Sequence, residues 1–126
     1  MLVLQWEKQI GRIMGKVVLM LNPHIQTIIT QTSQGLKNLY GEQLDKLLLF
    51  GSQARGDAKP DSDIDILIVL KHSFDYSKES DKISHLIADL CLEYNILISC
   101  AFATHEQLQN YNNAFFRNIR REGVVI

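Results

Sequence analysis

The stretch joining two apolar runs constrains this chain more than any other feature. Leu47-Leu48-Leu49-Phe50 is a short continuous apolar run that stops at Gly51-Ser52, and a second run, Ile64 to Leu70, opens with Asp63-Ile64-Asp65. Short continuous apolar runs of this kind read as strands buried on both faces. The Gln53–Ser62 stretch between them is polar, with turn formers at Gly56 and Pro60, so it is a loop, with room for one helical turn after Ser52. Residues i and i+2 of a strand project from the same face. Asp63 and Asp65 therefore point to one place, where their charges repel unless a cation joins them.

That arrangement suits Mg2+ and a nucleoside triphosphate. Mg2+ takes oxygen ligands and is commonly held by one or two carboxylates together with substrate phosphates. Gly51 has no Cβ, so backbone can approach a phosphate closely. Ser52 adds a hydroxyl and an amide, and amides at the start of a helical turn face an anion. Arg55 has two readings of equal weight, a phosphate contact or an internal ion pair with Asp57 or Asp61. Asp-x-Asp alone is a weak signal, as is Gly-Ser alone. The two together, one after an apolar strand and the other opening the next, are far more specific.

The rest of the chain supplies a small domain around these two strands. Its 126 residues suffice for one domain with a core. A net charge of −1 is unlike a general nucleic-acid binder, so direct nucleic-acid contact is not expected. No run reaches the roughly 20 apolar residues that span a membrane. Asn22-Pro23 starts a helix, continued by Ile25, Ile28, Ile29, Thr32, Leu36, Leu39 and Tyr40 and ended by Gly41. Lys71 to Ser77 reads as a connector. Ile83, Leu86, Ile87, Leu90, Cys91 and Tyr94 form a helical stripe that Asn95 breaks. Ile96 to Phe102 reads as a third strand. Thr104 and Gln107 resemble a capping box, and Phe115, Phe116 and Ile119 mark a last short helix closed by Gly123. The expected fold class is α/β (α+β): a small mixed three-stranded sheet flanked by helices. Residues 22–126 form the domain. Residues 1–21 are set apart as an extension, either an extra helix packing on the domain or on a second subunit, or a product of a misplaced start.

The cysteines, Cys91 and Cys100, lack metal-ligand spacing and read as reduced, buried thiols of a cytoplasmic protein. His24, His72, His85 and His105 are scattered and read as solvated or packing residues.

Residues 50–65 resemble the signature of the minimal nucleotidyltransferase family, a small branch of the DNA polymerase β nucleotidyltransferase fold. Gly51, Ser52, Ala54, Arg55, Gly56, Ser62, Asp63 and Asp65 all match its pattern, and the ending Phe116 to Gly123 is similar to its C-terminal helix. The resemblance implies ATP as substrate, two Mg2+ ions held by Asp63 and Asp65, and a triphosphate bound by Gly51 and Ser52. It further implies transfer of AMP to an acceptor. Many members act as antitoxins, adenylylating or masking a helical HEPN-domain toxin, so an antitoxin of this kind is expected here. A homo-oligomer is compatible with the resemblance. The pattern departs in one place. The family's third carboxylate falls on the third strand, and Ser99 stands at that position. A neutral hydroxyl is a poorer Mg2+ ligand than a carboxylate, which weakens the case for catalysis more than for nucleotide binding. The alternative is therefore a catalytically weak or inactive module that neutralises its partner by binding.

Overall fold

The computed structural model describes residues 21–126, and the extension expected over residues 1–21 lies, Leu21 aside, outside the described residues. Helix α1, Pro23–Tyr40, starts where Asn22 accepts the His24 amide at 2.8 Å and proline takes the first helical position. It ends at Gly41, whose φ of +54° is left-handed. A 3-10 turn over Gly41–Gln43 leads into β1, Leu44–Phe50. A short helix α2, Gly51–Arg55, precedes the loop to β2, Ile64–Leu70. Helix α3, Tyr76–Tyr94, is capped by Asp75, which accepts the Ser77 and Lys78 amides, and it ends at Asn95 in the left-handed region. Strand β3, Ile98–Thr104, runs into α4, His105–Asn110, through a full capping box: Thr104 Oγ1 accepts from Gln107 N at 3.0 Å and Gln107 Oε1 from Thr104 N at 2.9 Å. Helix α5, Ala114–Glu122, and strand β4, Val124–Val125, complete the chain.

The sheet order is β3-β2-β1-β4, with β2 antiparallel to β1 and parallel to β3, and β4 antiparallel to β1. Four strands replace the three expected, because two residues after Gly123 are too short to give a readable alternation. Two further boundaries differ. Ile96 and Leu97 lie in the turn that follows the left-handed Asn95, so β3 starts at Ile98. Strand β1 reaches back to Leu44 through the polar Asp45 and Lys46, where Asp45 Oδ2 accepts a hydrogen bond from His105 Nδ1 at 3.0 Å.

Each face of the sheet has its own core. Leu47, Leu49, Ile64, Ile66, Ile68, Ile98 and Phe102 pack against α1 and α3. On the other face Leu48, Leu67, Val69 and Ala103 pack against Leu108 of α4 and Phe116 and Ile119 of α5. Strand β2 is thus buried from Ile66 to Leu70, as a central strand must be. Side chains of β2 alternate between the two cores, so a slip of one residue would drive Asp65 into the α1/α3 core. Leu67→Ala, at a fully buried site two residues beyond Asp65 on the same face, is expected to lower the unfolding free energy by about 2–5 kcal/mol, read from urea denaturation.

Candidate functional site

Pairing across the sheet sets one row of side chains. Phe50 of β1 lies opposite Asp65 of β2, and Asp65 lies opposite Ser99 of β3. Paired residues share a face, and this row continues the α4/α5 side of the sheet, since Leu67, Ala101 and Leu48 follow along the three strands. Asp63 precedes Ile64, whose side chain is fully buried in the opposite core, so both carboxylates flank it on the α4/α5 side. The Ile64 amide donates to Leu97 O at 2.9 Å, which fastens the start of β2 to the chain entering β3.

Gly51 turns the chain at the end of β1 with a φ of +73°, and a Cβ at this position would collide with Asp65 Oδ2. Glycine is required here twice over, by backbone conformation and by the closeness of the carboxylate. Ser52 follows in the first turn of α2, where amides have no intrahelical acceptor. Its carbonyl is engaged, accepting from the Gly56 amide at 3.0 Å and from the Asp57 amide at 3.2 Å. Gly56, left-handed at φ +81°, closes the helix. The loop is pinned further on, where the Lys59 amide donates to Ser62 Oγ at 2.8 Å and the Ser62 amide to Lys59 O at 3.0 Å.

Arg55 adopts the ion-pair reading. Its Nε donates to Asp57 Oδ2 at 3.2 Å and its Nη1 to Glu122 Oε2 at 3.4 Å, while Asp61 is not its partner. The guanidinium therefore bridges α2 to the end of α5. Glu122 was invisible as a partner in the sequence because it lies far along the chain, in a helix whose packing only the fold decides. The same holds for Phe50 and Phe115, whose rings meet edge to face with centroids 5.8 Å apart, Phe50 being the cross-strand partner of Asp65.

The electrostatics of the pair follow from its setting. Burial pushes the Asp65 carboxyl above its ordinary value, the neighbouring Asp63 charge adds to the rise, and Arg55 opposes it. Among the described residues no hydrogen bond or ion pair relieves either carboxylate. Nor does any group of three or more His, Cys, Asp or Glu suited to a metal occur among them. Two carboxylates without a hydrogen-bond or ion-pair partner among the described residues, one exposed and one half-buried, fit Mg2+ of the kind that fills its remaining positions with phosphate oxygens and water. A cleft of about 580 Å³ lined by Lys71, His72, Phe74, Tyr76, Phe102 and Tyr111 lies at the other end of β2 and β3 and takes no part in this arrangement.

The family model for the nucleotidyltransferase domain matches residues 29–117, which include every residue of this row and of the Gly51–Asp65 loop. The chain belongs to the nucleotidyltransferase domain family. It is similar to two candidate protein adenylyltransferases of Methanocaldococcus jannaschii. One is 40% identical over 100 residues, covering 78% of this chain and 93% of that protein. The other is 39% identical over 72 residues, covering 57% and 72%. Among solved structures, a candidate nucleotidyltransferase from Sulfolobus solfataricus aligns with a TM-score of 0.54 at 20% identity, over 83% of this chain and 86% of that one. A toxin-antitoxin structure with AMP-PNP aligns with a TM-score of 0.50 at 18% identity, over 74% and 70%. These last two likenesses speak to the fold. Membership makes the chain a nucleotidyltransferase enzyme, whose substrate is a nucleoside triphosphate and whose family usually employs a divalent metal.

The raised Asp65 pKa gives this nucleotidyltransferase a definite pH response. A carboxyl whose folded pKa lies above its unfolded one favours the folded state when protonated, and that contribution is lost as pH rises through the folded value. Asp65→Asn is therefore expected to melt at a higher temperature than wild type in metal-free buffer near neutral pH. The gap should close as pH falls through the carboxylate range, below about pH 4. Melting curves of both proteins across that range check it, and a gap that does not depend on pH would contradict the cause given.

Proposed function

We propose that this nucleotidyltransferase moves AMP from ATP onto a hydroxyl of a partner protein of the HEPN-domain class, acting in the cytoplasm as its antitoxin. The observation that carries the reading is Asp65 beside the Gly51 turn and opposite Ser99, with Asp63 two residues before it. The relatives named as candidate protein adenylyltransferases support a protein acceptor, and the toxin-antitoxin structure supports the antitoxin role.

In this reading Asp63 and Asp65 hold Mg2+. When bound, Mg2+ neutralises the triphosphate and stabilises charge on the entering and leaving oxygens. Gly51 lets the turn approach the triphosphate, and the Ser52 amide and hydroxyl bind its oxygens. Arg55, tied to Asp57 and Glu122, holds α2 at the angle that aims those groups. The acceptor oxygen attacks the α-phosphorus, the bond to the bridging oxygen breaks, and pyrophosphate departs. The row that receives the acceptor carries Ser99, so Asp65 is the proton acceptor that the chain itself offers there.

Ser99 also supports a second reading. A hydroxyl opposite Asp65, where the resemblance expects a third acid, suits a module that binds nucleotide and masks its partner without transfer.

Intact mass of a HEPN-domain partner incubated with the protein, ATP and Mg2+ separates the two. The expected result is an AMP adduct on the partner, reduced below about one hundredth of wild type by Asp65→Asn, the scale of losing a group that stabilises transition-state charge. Equal neutralisation by both proteins with no adduct would favour the masking module. Ser99→Asp is expected to transfer AMP at an equal or greater rate in the same assay, and a clear decrease would place the third-strand alignment in error.

A further inference from the structure

Phe115 stands at the start of α5 with 42% of its surface exposed, and its ring is held on two sides. Phe50 meets it edge to face with centroids 5.8 Å apart, and Phe116 does so at 5.2 Å. Phe116 is itself buried in the α4/α5 core, so the pair has a firm floor. The far end of the same helix is tied to α2 by Glu122 and Arg55. A single exposed phenyl ring is ordinary on a protein surface. This one is distinguished by its neighbour, because Phe50 lies directly opposite Asp65 in the sheet.

The direction of the reaction decides what such a ring faces. Entering and leaving oxygens stand roughly in line across the transferred phosphorus. Gly51 and Ser52, which bind the triphosphate in the function proposed above, follow directly from β1, so the phosphates that leave lie on that side. Attack then comes from the β3 side, past Ser99. The nucleoside is neither the entering nor the leaving group, so it must turn off that line. Beneath the line lies the sheet, whose opposite face is filled by α1 and α3. The open course is across the α4/α5 side, where Phe50 and Phe115 stand.

We propose that Phe115, braced by Phe116 and by Phe50, the cross-strand partner of Asp65, is the platform on which the purine base of the nucleotide stacks. The inference rests on the nucleotide-binding part of the function proposed above and adds a site for the base. Aromatic rings bind bases through their π-faces with little dependence on hydrogen bonding. A ring clamped by two others loses little freedom when the base arrives.

Calorimetric titration with Mg2+-ATP and with Mg2+-tripolyphosphate, which has phosphates and no base, tests this on the full chain. Phe115→Ala is expected to weaken ATP about tenfold, within the range of losing one base-stacking ring, and to leave tripolyphosphate unchanged. Phe115→Trp should bind ATP at least as tightly as wild type, which also guards against a folding defect in the alanine variant. Unchanged ATP binding by Phe115→Ala would overturn the platform, as would equal weakening of both ligands, since the ring would then serve the phosphate site or the helix. Wild type binding ATP no better than tripolyphosphate would overturn it as well. Wild type binding neither ligand would instead bring down the parent reading and this one with it.

Discussion

Strand β2 pairs with a neighbour on each side, and every element of the site takes its place from that pairing. Its middle is buried from both faces, so its register is fixed by two cores at once. Leu67 and Val69 anchor one side, Ile64, Ile66 and Ile68 the other. Asp65 is the first β2 residue on the α4/α5 side that those helices leave open. The antiparallel pairing brings the end of β1, with its Gly51 turn, to this point, and the parallel pairing brings the start of β3. Groups distant in sequence meet because one strand end is common to both pairings.

Placing two carboxylates there has a cost. Asp63 and Asp65 repel each other and Asp65 is half-buried, while the nearby arginine is already engaged by Asp57 and Glu122. Buried charges without partners destabilise a fold, and they concentrate where a ligand is to supply the missing partner. Gly51 fits the same pattern, with a left-handed backbone and a carboxylate where a side chain would be.

Much of this is legible in the sequence, and each exception turns on something a local pattern does not carry. The β2 strand, the helical turn after Ser52, the capping box at Thr104 and the end of α3 at Asn95 follow from local rules: period, capping and left-handed preference. Strand β4 escaped because two residues carry no period, and its existence depends on β1 offering a free edge. The early turn at Ile96 and Leu97 escaped because two apolar residues look like strand wherever they fall. Arg55 has two readings in the sequence because its second carboxylate partner, Glu122, lies far along the chain. Phe115, Phe116 and Ile119 mark the last helix without telling which ring turns inward; Phe116 fills the core and Phe115 is partly exposed. One position along a helix is about 100° of rotation, too fine for three apolar residues to settle.

Ser99 has a consequence beyond the question of catalysis. A site with two carboxylates instead of three is less negative by one charge and offers a metal one ligand fewer. In the function proposed above, such a pair would hold Mg2+ weakly on its own, and the triphosphate would supply the missing oxygens. Metal and nucleotide then tighten each other's binding by the same factor, as linkage requires. In that reading the protein would take up its metal as part of the nucleotide complex, and would respond to the concentration of that complex rather than of either component alone.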